Sequence, residues 1–408
     1  MKMRHMIGLL PVIGFFLGGA AFAAHPPVAL PESGRIQDIP SSVCGDCHQA
    51  IYRQWSGSMH ANSTALKDPI HGAVYRSLMG DPQTEGVRKR GAYPVCLNCH
   101  APAAALDGKT KLDARPAYNG GVNCVSCHAM ERYLGIEKPG GGLQLGVRAY
   151  RFSDTELQGP NGDRVTVSAG PDGAEARHIV PIRGNPELMK TKAACMGCHD
   201  QRPNAHGVSM CATGDEIRAV EGPDTCQSCH MPIVDGVASH AMLGGHNPAM
   251  VEHGLAMTVS AARQGGDLRA EVHLLNKTPH NFPTGAPFRN VYINVAALDE
   301  NGKTLWQNAP GHPMKADPQA MLFYALGDEA GKPAPPPKAK QVLADSRLKP
   351  NERRTLRYAI PATGVVRVEA RAYYNLLLPP MVKQLRGKIP EDLTRPMLVG
   401  TAQHSVGN

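Results

Sequence analysis

The sequence is poor in aromatic side chains and has no second long apolar run after its N-terminal one. Only 2 Trp, 7 Phe and 11 Tyr occur among 408 residues, so few large side chains are available to fill a core. Downstream of residues 6–22, no stretch approaches the ~20 apolar residues that span a bilayer. We therefore predict no membrane span after this run. We also predict that something other than aromatic side chains fills much of the core.

The N-terminus has the pattern of a secretory signal peptide. Lys2 and Arg4 precede the apolar run, and the small-residue pattern Ala21-Phe22-Ala23 follows it. We interpret residues 1–23 as the signal peptide, with a membrane anchor as the alternative. The predicted location is the periplasm, the extracellular space or the cell surface.

Cysteine is confined to the first part of the chain. All eleven cysteines precede Asn247, whereas beyond Leu255 there is none and apolar and polar residues alternate repeatedly. About 385 residues after the signal peptide exceed what one core usually organises. We place one domain at residues 24–254 and a second at residues 255–408.

Ten of the eleven cysteines form five copies of Cys-x-x-Cys-His, the attachment motif of c-type haem. The composition predicts only about one hundredth of such a motif by chance. Zinc sites do not require a histidine after every second cysteine, and disulfide frameworks do not repeat a pentapeptide. The predicted attachment cysteines are Cys44, Cys47, Cys96, Cys99, Cys124, Cys127, Cys195, Cys198, Cys226 and Cys229, and the proximal iron ligands are His48, His100, His128, His199 and His230. The eleventh cysteine, Cys211, is interpreted as a free buried thiol.

Five covalently attached haems c within about 230 residues leave little room for an aliphatic core, so the haems are expected to form it. We predict short helices around each motif and irregular loops between them, with haem pairs at the second and third motifs and at the fourth and fifth. Removing Lys2 and Arg4 lowers the formal charge of +8 to +6. Each ferric bis-His haem adds about −1, so five leave about +1, and nothing supports nucleic acid binding.

The second domain has the signals of an all-β fold. Leu268, Ala270, Val272 and Leu274 alternate with polar residues, and residues 291–298, 305–306, 356–360 and 365–374 read as further strands. The fold class is therefore a haem-packed domain of short helices and irregular segments, followed by a small β-sandwich-like domain.

The run that begins at the first motif and contains Trp55-Ser-Gly-Ser58-Met-His60 resembles multihaem cytochromes related to the tetrahaem cytochrome of ammonia oxidisers. The likeness covers roughly residues 44–250 and continues at residues 121–128, 170–178, 192–200, 225–232 and 239–246. It implies that His60, His178, His240 and His246 are distal axial ligands. His280, in a segment that resembles one following the haem domain in several such proteins, is the predicted fifth. His71, His206 and His253 are interpreted as surface histidines and held in reserve.

Electron transfer through closely packed bis-His haems is the function that this pattern favours, with redox proteins, including other multihaem cytochromes, as partners. A multihaem reductase or oxidase of a small nitrogen or sulfur compound, with one open haem, is the first alternative. The lysine that pentahaem nitrite reductases carry in one motif does not occur here. The second alternative is a subunit that self-assembles into an extracellular cytochrome filament.

Overall fold

The structure is a computed structural model. It describes residues 31, 33–89, 91–161, 168–169, 175–176, 178, 180–220, 222 and 225–407. The predicted signal peptide, residues 1–23, lies outside this part of the chain. No helix among the described residues has the length and apolar character needed to cross a membrane.

Short helices separated by turns dominate the described chain up to residue 254. Proline and asparagine or aspartate set many of their starts: Asp68 caps a helix that begins at Pro69, and Asn123 forms a capping box with Ser126. The α-helices are α1 Ser41–Cys47, α2 Gln49–Ser56, α3 Pro69–Leu78, α4 Leu97–His100, α5 Pro102–Leu106, α6 Pro116–Asn119, α7 Cys124–His128, α8 Pro186–Met189, α9 Ala193–His199, α10 Thr213–Arg218, α11 Cys226–His230, α12 Pro248–Gly254 and α13 Pro379–Leu385.

Small two-stranded ladders connect these helices. The strands are β1 Met130–Tyr133, β2 Tyr150–Phe152, β3 Leu157–Gly159, β4 Ser168–Ala169, β5 Glu175–Ala176, β6 Ile182–Gly184, β7 Arg202–Pro203, β8 Ser209–Cys211, β9 Ile233–Val234 and β10 Val237–Ala238. They pair as β1–β2, β3–β6, β4–β5, β7–β8 and β9–β10, and only β3–β6 is parallel. The hydrophobic clusters in this region are small and separate, as expected where side chains do not form the main core.

From Leu255 onward the chain forms two antiparallel sheets. The strands are β11 Leu255–Gln264, β12 Asp267–Asn276, β13 Asn290–Leu298, β14 Thr304–Gln307, β15 Met321–Gly327, β16 Gln341–Asp345, β17 Arg353–Pro361, β18 Arg367–Asn375 and β19 Met397–Ser405. One sheet has the order β11-β12-β17. The other has the order β16-β15-β13-β18-β19, with β14 paired to β13.

The burial of side chains in β12 agrees with the alternation of apolar and polar residues in its sequence. Leu268, Ala270, Val272 and Leu274 are each at most 1% exposed, and they share one hydrophobic cluster with residues of the other sheet such as Ile293. The period of two places every second side chain on the buried face of the strand. The antiparallel β-rich second part is thus confirmed, and its core joins both sheets.

Candidate haem-binding sites

Each Cys-x-x-Cys-His motif lies on a short helix. The motifs occupy α1, α4, α7, α9 and α11, and the histidine is the last residue of the helix or, for His48, its C-cap. Residues three apart on a helix share a face, so one turn presents both thiols on the same side. This is the local geometry that attachment of one flat ring at two points requires.

Every motif histidine faces one histidine from outside the motifs. The ring-centroid distances are 6.3 Å for His48–His178, 6.0 Å for His60–His199, 4.0 Å for His71–His100, 6.4 Å for His128–His240 and 6.5 Å for His230–His280. An iron bound by two imidazole nitrogens at about 2 Å each separates the ring centroids by a little over 6 Å. Four of the five pairs have this spacing.

The His71–His100 pair is closer than an iron between the rings would allow, and its rings must move apart by about 2 Å to hold one. Both Nδ1 atoms donate to the carbonyl oxygen of Ser63, at 2.8 and 3.0 Å. The Nε2 atom of His71 is buried and has no hydrogen-bond partner in the described part of the chain. A buried ring nitrogen without a partner is suited to bind a metal ion.

His71, which was interpreted from the sequence as a surface histidine in reserve, is the histidine that lies opposite His100, and axial ligation by His246 stays a prediction. His246 is half-buried and is not in ring contact with any motif histidine among the described residues. Burial is the main cause that lowers the pKa of His246, followed by the nearby Arg289. His71 is carried by α3, whose start at Asp68-Pro69 is a recognisable sequence signal, but that signal does not indicate which histidine is a ligand.

Hydrogen bonds orient most of these rings. The Nδ1 atom donates to a backbone carbonyl oxygen in His71, His100, His128, His178, His230, His240 and His280, at distances of 2.6–3.0 Å. A donor bond at Nδ1 selects the tautomer whose Nε2 lone pair is free for a metal. The arrangement therefore leaves Nε2 of these rings available to bind a metal ion.

Burial keeps several of these imidazoles neutral, as a metal ligand must be. Desolvation lowers the pKa of His60 to about 4 and holds the pKa of His100 well below its usual value. In both cases neighbouring histidines lower the pKa further, because two cationic rings would repel each other.

Thiols of different motifs lie beside one another. Cys44 contacts Cys124, Cys99 contacts Cys198, and Cys195 contacts Cys226, although all eleven cysteines are free. The third motif is therefore next to the first, and the fourth is next to the second and the fifth. The haem pairs expected at the second and third motifs and at the fourth and fifth stay a prediction.

The loop after β12 brings His280 to the fifth motif, and a charged cluster holds that loop. The carboxylate of Glu216, in α10, accepts from the backbone N–H of Asn281 at 3.1 Å and from the hydroxyl of Thr284 at 2.6 Å. Its other oxygen accepts from Arg347 at 2.8 Å. The helical part and the β-rich part thus meet beside one histidine pair.

Cys211 lies in β8 and belongs to no histidine pair. Its thiol is free, and burial is the main cause that raises its pKa. A free, largely buried thiol behaves as a small hydrophobic side chain.

These features together define a class of protein. Paired thiols on helical turns, a histidine after each pair, and a second imidazole opposite each histidine fit the attachment and axial ligation of c-type haem. A chain with this arrangement is a multihaem c-type cytochrome.

The comparisons with known proteins agree with this class. Residues 43–129 match the model of the family described as cytochrome c554 and c-prime. A crystal structure of a penta-heme cytochrome c552 from Thermochromatium tepidum has 44% sequence identity and a TM-score of 0.85, and the alignment covers 91% of this chain and 100% of that one. The chain belongs to the multihaem c-type cytochrome family.

A crystal structure of a DUF1425 family member from Shewanella sp. pv-4 has 15% identity and a TM-score of 0.16, and the alignment covers 29% of this chain and 73% of that one. A similarity this low supports no conclusion about this chain. No curated protein matches the chain.

Proposed function

We propose that this protein is an exported pentahaem cytochrome that transfers electrons through five six-coordinate haems. The observation that carries the proposal is that each of five motif histidines faces one further histidine of the same chain. When both axial positions of an iron are occupied by protein, the haem exchanges electrons without binding a substrate.

Each proposed haem is bonded to both thiols of one motif and to the histidine that follows. The five proposed axial pairs are His48 with His178, His100 with His71, His128 with His240, His199 with His60, and His230 with His280. His71 replaces His246 in this assignment because, of these two described histidines, His71 is the one in ring contact with a motif histidine.

The contacts between thiols indicate the route of the electrons. Covalent attachment places the edge of each haem at its cysteines, so contacting motifs bring haem edges together. The contacts link the first motif to the third, and the fourth to the second and the fifth. Cys127 of the third motif also lies near the thiols of the fourth, which joins both groups into one network.

The proposal includes the two-part architecture and export. Residues 24–254 form the haem domain, and residues 255–408 form a β-sandwich-like domain whose two sheets share a core and whose loop supplies His280. The signal pattern in residues 1–23 supports transfer to the periplasm or cell surface, where redox proteins would be the partners.

The two alternatives receive less support. An enzyme needs an iron without a distal protein ligand, yet each motif histidine has a partner ring. A filament whose haems are ligated between chains needs histidines donated across an interface, yet all five partners come from one chain.

A spectroscopic experiment separates these functions. We expect the purified ferric protein to contain five haems by pyridine haemochrome assay, all low-spin by electron paramagnetic resonance (EPR). Nitrite, cyanide at low concentration or hydroxylamine should leave the spectrum unchanged. A high-spin haem that binds one of these compounds would instead assign an active site and reject the electron carrier.

A further inference from the structure

The His60–His199 pair differs from the other four in its hydrogen bonds. It is the one pair among the described residues in which neither ring donates to a backbone carbonyl oxygen. The Nδ1 atom of His60 instead lies 2.7 Å from the sulfur of Met242. A thioether sulfur is a weak acceptor, so His60 gains little of the negative character that a carbonyl bond gives to an imidazole.

The negative character of the imidazole affects the reduction potential of the iron that it binds. An imidazole that donates a strong hydrogen bond is a better electron donor and stabilises the ferric state. A ring that donates only to sulfur stabilises ferric iron less. This raises the reduction potential of the haem of the fourth motif relative to the other haems.

Met242 is held in this place by an unusual backbone conformation. Its φ of +43° lies in the left-handed region, which non-glycine residues rarely adopt. It follows His240, the proposed ligand of another haem, by two residues. Local strain at such a position is maintained by its surroundings. Here the backbone N–H of His240 donates to Gln54 at 2.9 Å, and the carbonyl oxygen of Leu243 accepts from His230 at 2.6 Å.

Positive charge near the fourth motif also raises the reduction potential of its haem. Arg289 lies near His199. The Nε atom of Arg289 is buried without a hydrogen-bond partner in the described part of the chain, and Nη1 donates to the hydroxyl of Tyr374 at 3.0 Å. A nearby cation that forms no ion pair with a described carboxylate side chain would favour the reduced iron, which carries one positive charge less.

The fourth motif also has the most neighbours in the thiol network. Cys195 contacts Cys226, Cys198 contacts Cys99, and Cys127 lies near both. With a haem bound at each motif, electrons that enter at any other motif would therefore have a route to the fourth through neighbouring motifs.

We propose that Met242 is a positioning residue that acts through His60 to make the haem of the fourth motif the highest-potential centre, where electrons from the other haems collect. This inference rests on the proposed function, because it requires His60 and His199 to be the axial ligands. Each transfer between bound haems would oxidise one ferrous iron and reduce a ferric one, with no bond made or broken.

The ring orientation gives this haem a signature. The planes of His60 and His199 are 64° apart, compared with 19–38° for the three other pairs whose spacing suits an iron. A large angle between axial imidazole planes brings the iron orbitals close in energy and gives the most anisotropic low-spin EPR signal. That signal identifies the haem in a mixture of five.

The test is an EPR-monitored redox titration of the full-length holoprotein, of Met242→Gln and of Met242→Leu. Glutamine has nearly the same length and offers a carbonyl acceptor to His60, whereas leucine offers none. Glutamine adds one neutral hydrogen bond to the ring, and the strength of that bond limits the change in the ferric–ferrous equilibrium. We expect Met242→Gln to favour the ferric form of that haem by up to about tenfold, which for a one-electron couple is a fall of at most about 59 mV. Met242→Leu should not lower the potential.

The matched control is Met381→Gln, because Met381 packs against the core of the β-sheets. We expect it to leave the titration unchanged. In the native protein the most anisotropic signal should be the first to disappear as the potential is lowered.

Two results would overturn the inference: the most anisotropic haem titrates at a lower potential than the others, or Met242→Gln leaves its potential unchanged. Should Met242→Gln fail to assemble, the native titration alone decides. A native protein with fewer than five haems, or without a strongly anisotropic signal, would instead reject the proposed ligation itself.

Discussion

Replacing Glu216 with glutamine tests whether the β-rich part of the chain supplies an axial ligand. Glu216 is 9% exposed and holds the loop that carries His280 through the backbone of Asn281 and the hydroxyl of Thr284. Glutamine preserves the shape and one acceptor oxygen but removes the charge. We expect the loop to bind less tightly and His280 to leave the iron more readily.

The expected loss of binding free energy follows from the two hydrogen bonds whose acceptor changes from a charged carboxylate to a neutral amide. A hydrogen bond to a charged group contributes about 1.5–3 kcal/mol, compared with about 1 kcal/mol for a neutral one. The two loop bonds together should therefore weaken by about 1.5 kcal/mol, which corresponds to roughly a tenfold change in an equilibrium constant. Arg347 keeps its ion pair with Asp345 at 2.8 Å, so no buried charge is left without a partner.

The assay is a cyanide titration of the ferric protein, followed at the main haem absorption band. Cyanide must displace His280, so the concentration that half-saturates one haem should fall about tenfold in Glu216→Gln. The control is Glu329→Gln, because the Glu329 side chain is 82% exposed and pairs with Lys340 at the surface. Equal half-saturation in the native protein and in Glu216→Gln would refute the role of the loop.

Three further predictions concern attachment, ligation and stability. Alanine at both cysteines of the fifth motif should lower the haem content by one, and an unchanged pyridine haemochrome value would contradict that attachment site. His71→Ala should convert one haem to high-spin in the EPR spectrum while His246→Ala leaves all low-spin; the opposite result would restore the ligand expected from the sequence. Leu274→Ala, in the core at 1% exposure, should lower the free energy of unfolding by about 2–5 kcal/mol, while Leu398→Ala, at 50% exposure, changes it little. Equal denaturant midpoints for these two variants would show that the β-sheets do not depend on that core.

The sequence alone determined the features that are local. Two thiols and a histidine lie within five residues, so a motif such as Cys124–His128 specifies one attachment point without reference to the rest of the fold. The alternation along β12 is equally local, because a strand that is buried on one face needs an apolar residue at every second position. Edge strand β16 was not predicted, since all five of its residues are exposed and it has no such alternation.

The tertiary structure decided which residues meet. His178 lies 130 positions from His48 along the chain, and no pattern around a distant histidine states which motif it will face. His71 and His246 are an example. His246 lies in a segment that resembles a ligand site, but the fold places the ring centroid of His71 4.0 Å from that of His100. The order of the motifs in space likewise depends on long-range packing, which joins the second motif to the fourth. Sequence separation cannot determine such contacts, because the chain between two motifs is long enough to place either one beside several others.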